Sequence, residues 1–186
     1  KGLITTKFGW DKFTFPGQPR IHYGIDKAGP GMICNPIEGA VATWLIDSQG
    51  NSVIRLVRGD LELRVMHFNK VELDESFKCG VPLTAGQKIG PAGNTGISVA
   101  SAGGTGRHVH YQLMLKPNVF DDELAAKRPT WKINMIEDFA KRYGPSFTAQ
   151  IKARAITWMS DVALAKFDPF DQAVRIVVDP NAFFGL

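Results

Sequence analysis

The sequence predicts an α+β fold: mainly an antiparallel β-sheet, then a C-terminal helical insertion, then a closing strand. Three observations predict it. Gly and Pro punctuate residues 1–117 about every eight to twelve positions. Short apolar or alternating runs fill the intervals, and after residue 118 the apolar spacing changes to three or four. The chain has 186 residues, 44% of them hydrophobic. A chain of this length buries roughly 70% of its unfolded surface, so its core needs no covalent staples.

The breaks in the first part fall at Pro16-Gly17, Gly29-Pro30-Gly31, Pro36, Gly50, Gly59, Gly80, Gly86 and Gly90. Between them Val41–Ile46, Ser52–Val57, Leu61–Phe68 and Val109–Leu115 read as strands. Asp121 can cap a short helix that must stop before Pro129. Ile136, Phe139, Ala140 and Tyr143 recur at helical spacing, and Gly144-Pro145 is a stop signal. Ser146 can cap a further helix whose stripe is Phe147, Ile151, Ala155, Trp158, Val162 and Ala165. Such a stripe reads as core rather than as a cofactor site. After Asp168-Pro169, the run Val174–Val178 returns to a strand pattern. The expected organisation is a β domain over 1–117, a helical insertion over 118–172, and the closing strand and turn of the first domain over 173–186.

Composition excludes several classes. No run of about 18 apolar residues occurs, so no membrane-spanning helix is expected. Ordinary charge and apolar content exclude wholesale disorder. The net charge of +4 is uneven: residues 1–117 carry 13 Lys/Arg against 9 Asp/Glu, and residues 118–186 carry 9 of each. That surplus favours an anionic partner only weakly. No basic run of five and no aromatic-basic platform exists, so nucleic acid is not an expected partner. The glycine-rich stretches fit neither the phosphate-loop spacing nor the dinucleotide fingerprint, and no carboxylate pair stands out for glycoside hydrolysis. Cys34 and Cys79 are expected to be free and buried, with no neighbouring Cys or His to suggest a zinc finger. The first six residues have no apolar leader segment and no initiator Met. The expectation is a mature product or a piece of a longer protein.

The four histidines are the most informative residues: His22, His67, His108 and His110. In a strand, positions i and i+2 face one side, so His108 and His110 emerge together while Val109, Tyr111, Leu113 and Leu115 take the other face. His22 and Asp26, four apart, also share a side, and Gly24 between them permits a bend or a close backbone approach. Two imidazoles and a carboxylate make the three-ligand set of a catalytic zinc, which leaves a fourth position to water. His67 is expected on the face of Leu63 and Val65, pointing inward or into a groove.

The motifs run in order: Phe8-Gly9-Trp10, His22-x-Gly24-x-Asp26, a strand bearing His67, Gly86-Gln87-x-Ile89-Gly90, Gly93-x-Thr95-Gly96, and His108-x-His110. This order, over about residues 3–116, resembles the lysostaphin-like (M23) zinc metallopeptidases of the LytM type. Val178-Asp179-Pro180 resembles that family's closing strand and turn. The resemblance implies an antiparallel β-sheet around an open substrate groove and cleavage of peptide bonds in bacterial peptidoglycan. It implies one Zn2+ held by His22, Asp26 and His110, with His67 and His108 as non-ligand catalytic histidines. Of these two, His108 is expected to be the base, since it neighbours His110 on one face. A peptidoglycan-facing location follows: extracellular, periplasmic or virion-associated, as a secreted or phage lysin or within a larger assembly. The sequence departs from the family pattern in the longer loop Ile97–Arg107, in Asp11 and Lys12 after Phe8-Gly9-Trp10, and in the insertion. The other reading is a non-catalytic relative that binds cell wall or activates a partner enzyme. The presence of all five site residues favours the enzyme.

Overall fold

In a computed structural model of the chain, the described residues are 3–11, 20–29, 31–69, 73–96, 107–115, 157–160, 163–168 and 173–186. Fourteen strands lie among them. They are β1 (Leu3–Thr6), β2 (Gly9–Asp11), β3 (Arg20–His22), β4 (Ile25–Ala28), β5 (Met32–Cys34), β6 (Ala40–Ile46) and β7 (Ser52–Arg58). The rest are β8 (Leu61–Met66), β9 (Val81–Leu83), β10 (Lys88–Pro91), β11 (His108–Leu115), β12 (Thr157–Ser160), β13 (Ala163–Asp168) and β14 (Ala173–Val178). Ten of them form one sheet with the path β12-β13-β14-β11-β8-β7-β6-β9, while β4 pairs with both β11 and β1. Every recorded pairing is antiparallel, including the separate pairs β5–β10 and β2–β3.

β11 organises the site because it pairs along both edges. One edge meets β8 from His110 to Leu115. The other meets β4 from His108 to Tyr111, then β14 from Leu113 to Leu115. Alternation sorts its side chains as the sequence predicts. Val109, Tyr111, Leu113 and Leu115 join the core with Leu63, Val65, Ile176 and Val178. The opposite face carries His108, His110, Gln112 and Met114, with Arg64 and Glu62 opposite the last two. Glu62 is buried there between two guanidiniums. Arg55 grips it with two bonds of 2.9 and 2.6 Å, and Arg64 adds one at 2.5 Å. Paired this way, the buried carboxylate keeps its hydrogen bonds.

Two expectations change. Trp158 and Ala165, which the sequence places on one helical stripe, lie instead in β12 and β13, with Trp158 opposite Leu164 and Thr157 opposite Ala165. β13 pairs all six residues with β14. An edge strand such as β14 presents unpaired N–H and C=O groups, and satisfying them outweighs a weak helical period. The earlier helices expected from Asp121 to Ala155 lie outside the described residues, as does most of the loop from Ile97 to Arg107. Cys34 and Cys79 are free as expected but exposed rather than buried. Cys34 alternates outward in β5 with Met32, while Ile33 turns inward. The closing turn after β14 is a short helix, α1 (Pro180–Phe184). Asp179 caps it by accepting from the Asn181 N–H at 2.9 Å, Pro180 opens it, and Gly185 ends it in the left-handed conformation. Among the described residues no helix is long and apolar enough to cross a membrane.

Candidate metal centre and its histidine pair

The ladder between β4 and β11 sets Asp26 directly opposite His110. His22 ends β3, just before the turn into β4. Three atoms converge: His22 Nε2, His110 Nδ1 and Asp26 Oδ1. Their separations are 3.1 Å between the imidazoles, 3.3 Å from His22 to Asp26, and 2.8 Å from His110 to Asp26. These are the residues whose ligand atoms cluster closely enough to hold a metal ion among the described residues.

The proton position on His22 suits such an ion. His22 Nδ1 lies 2.9 Å from the Lys7 carbonyl, which can only accept, so Nδ1 carries the hydrogen. His22 Nε2 therefore presents a lone pair to the cluster. Burial pushes the His110 pKa down to about 4, against the opposing hydrogen bond to Asp26. His110 is thus neutral near pH 7. Burial raises the Asp26 pKa, but hydrogen bonds and charge from His110 and His22 more than reverse it, so the carboxyl stays well below its ordinary range. Two imidazoles and one carboxylate, their donor atoms 2.8–3.3 Å apart, fit a zinc ion. Bonds of about 2.0–2.1 Å in a tetrahedron separate ligand atoms by about 3.3 Å. The side chains of Asp26 and His110 remain 15% and 12% exposed, so a solute can reach the centre.

These shifts give a pH dependence with a definite sign. In the metal-free protein His110 titrates near 4, whereas in the unfolded chain it titrates near 6.5. The unfolded state therefore binds more protons between those values. Stability is fully present above about pH 6.5 and falls as pH drops toward 4. The depressed Asp26 extends the loss below 3.8. The expected change is on the order of 1–3 kcal/mol. It is read from the urea midpoint of zinc-free protein across pH 4–8. A flat midpoint over that range contradicts it.

Gly24 is required by contact rather than by backbone angle. A Cβ there would lie 2.0 Å from the Tyr111 carbonyl oxygen and 2.8 Å from His110 Nε2. The first obstacle is backbone and cannot swing away. Gly24→Ala is expected to force β4 from β11 at the site, lowering stability by about 2–3 kcal/mol and weakening zinc binding. Thermal unfolding and metal content measured together check this.

His67 and His108 stand beside the centre. Their ring centroids are 4.7 Å apart, and His67 is 6.2 Å from His110. Strict alternation would group His67 with Leu63 and Val65. Instead β8 ends at Met66, and His67 adopts φ 72, the left-handed region that residues other than glycine seldom enter. That backbone turn puts its ring beside His108. His67 Nδ1 donates to the Thr95 carbonyl at 2.7 Å. Burial lowers the His67 pKa and His108 lowers it further, while the Thr95 bond, Asp26 and Asp47 oppose them. All five residues singled out in the sequence are therefore brought together. Lys7, which sequence reasoning missed, acts through its backbone carbonyl, and so does Thr95 toward His67; the motif Gly93-x-Thr95-Gly96 marked Thr95 but not that contact.

No family model and no curated protein matches the chain. Among solved structures it is similar to LytU at 28% identity and TM-score 0.49, over 62% of this chain and 74% of that one. It is similar to Csd3 of Helicobacter pylori at 24% identity and TM-score 0.46, over 61% of this chain but only 29% of that one. A third is the catalytic domain of the prophage-encoded M23 protein EnpA of Enterococcus faecalis. That match has 25% identity and TM-score 0.44, over 61% of this chain and 81% of that one. The chain resembles the lysostaphin-like M23 metallopeptidases in the order of its motifs, and it is similar to a solved member, EnpA.

Proposed function

We propose that the protein is a zinc metalloendopeptidase that hydrolyses peptide bonds of bacterial peptidoglycan, with a substrate groove along the histidine-bearing face of the sheet. One observation carries the reading: a three-donor cluster of His22, Asp26 and His110 with the paired rings of His67 and His108 at its edge. A zinc ion held by those three residues supplies a Lewis acid for the scissile carbonyl and an activated water near neutral pH. Asp26 provides the negative charge that offsets the ion. The Lys7 carbonyl keeps His22 in the tautomer that points a lone pair inward.

The remaining chemistry is proton transfer, and it falls to His67 and His108. His67 has its Nδ1 hydrogen committed to Thr95, which leaves Nε2 as its basic nitrogen. Its lowered pKa keeps that nitrogen unprotonated near pH 7. These facts favour His67 as the group that takes the proton from the attacking water and passes it to the leaving amine, the role the sequence alone suggests for His108. His108 then donates a hydrogen bond to the oxygen on which charge develops. The substrate class and a peptidoglycan-facing location, whether extracellular, periplasmic or virion-associated, rest on the motif resemblance.

The test is release of fragments from purified peptidoglycan, read by mass spectrometry. New amine termini at one bond type are expected with zinc-loaded protein. Chelation should abolish them and added zinc should restore them. No release from several wall types would overturn the peptidase reading in favour of a wall-binding relative.

A further inference from the structure

We infer that the turn Gly93-Asn94-Thr95-Gly96 is a clip holding His67 and His108 as one unit, with Thr95 as its positioning residue. The inference rests on the proposed reaction. Each residue of the clip that makes a contact reaches a different piece of the histidine pair's support. The Thr95 carbonyl accepts from His67 Nδ1 at 2.7 Å. The Thr95 hydroxyl donates to the Phe68 carbonyl at 3.1 Å and accepts from the Ser52 N–H at 3.0 Å. Phe68 N–H donates in turn to the Ser52 carbonyl at 3.3 Å. One side chain therefore ties the start of β7 to the backbone just past His67.

Gly93 holds the other histidine. Its carbonyl accepts from the His108 N–H at 3.1 Å. A Cβ on Gly93 would lie 2.4 Å from Asn69 N and 2.5 Å from the His67 carbonyl oxygen, so the turn lies flat against the segment bearing His67. Gly96 anchors the far end. It has φ 111, and a Cβ there would lie 1.8 Å from Asn51 Oδ1. The Asn51 amide is oriented by its Nδ2 bond of 2.7 Å to Asp47, and its buried Oδ1 has no hydrogen-bond partner. A buried acceptor left unpaired against the turn costs stability, a pattern that accompanies functional constraint. The left-handed backbone of His67 is likewise sparsely populated and persists only where surrounding contacts over-determine it. The clip supplies those contacts.

The consequence is a single tautomer of His67, with hydrogen on Nδ1 and the lone pair on Nε2. Thr95→Val keeps the side-chain shape and removes the hydroxyl, whereas Thr95→Ser keeps the hydroxyl. Long-range nitrogen–proton NMR of the zinc-loaded protein reads the tautomer, and peptidoglycan hydrolysis reads the rate. In the unsubstituted protein His67 is expected in the Nδ1–H form alone. Thr95→Val should give mixed tautomers and lower kcat about 10–100-fold, with KM within about two-fold and zinc content unchanged. Thr95→Ser should restore most of the loss. A single tautomer and full rate in Thr95→Val, or an equal loss in Thr95→Ser, would overturn the clip. Should Thr95→Val fail to fold, an Nε2–H His67 in the unsubstituted protein overturns it just as directly. An inactive protein with the expected NMR pattern would remove the peptidase reading and leave the clip standing.

Discussion

Asp26→Ala is expected to strip the purified protein of zinc and of hydrolysis together. The carboxylate is the one anionic donor in the cluster, at 2.8 Å from His110 and 3.3 Å from His22. Its removal leaves two neutral imidazoles and an uncompensated dication. Losing an outer partner of a metal ligand already costs 10–100-fold in affinity, so losing a ligand should exceed about 100-fold. The fold should survive, because Asp26 lies outside the apolar core and its backbone pairing in β4 is untouched. Metal analysis after dialysis, with circular dichroism alongside, separates the two effects. Stoichiometric zinc in folded Asp26→Ala protein would refute the ligand set.

His108→Ala is expected to behave in the opposite way for metal and in the same way for activity. His108 is not among the three converging donors, so zinc should stay bound. The rate should fall by about 10²–10⁴, the usual worth of general acid–base help. His67→Ala should match it. Because their rings stand 4.7 Å apart beside one centre, the double variant should lose little more than either single one, as groups acting as a unit do. Loss of zinc in His108→Ala would shift the ligand assignment. Additive losses would mean that the two histidines act separately.

Four of the candidate residues were legible because their spacing survives translation into structure, whereas His67 left the face that alternation assigns it. A period of two must place His108 and His110 on one face, and a spacing of four keeps His22 near Asp26 across a turn. The tightness of that turn was legible too, since Gly24 is the one residue type that tolerates a carbonyl oxygen 2.0 Å from where a Cβ would sit. The same reasoning went astray at Trp158 and Ala165. A stripe of three and four steps is a weak local preference, whereas pairing with β14 is a long-range gain that the stripe does not encode. Cys34 misled in a similar way, as residue type predicts burial only on average and register decides it in a given strand.

Sequence by itself determined the antiparallel character of the first part, the core face of β11 and the shared faces of His108 with His110 and of His22 with Asp26. These follow from local periodicity and from the chemistry that each side chain carries wherever it goes. Tertiary structure decided the rest. It set Asp26 opposite His110 by ladder register, turned His67 out of alternation at φ 72, and brought the carbonyls of Lys7 and Thr95 against the Nδ1 atoms of His22 and His67. Backbone acceptors are identical at every position of a sequence, and only the path of the folded chain chooses which of them meets an imidazole.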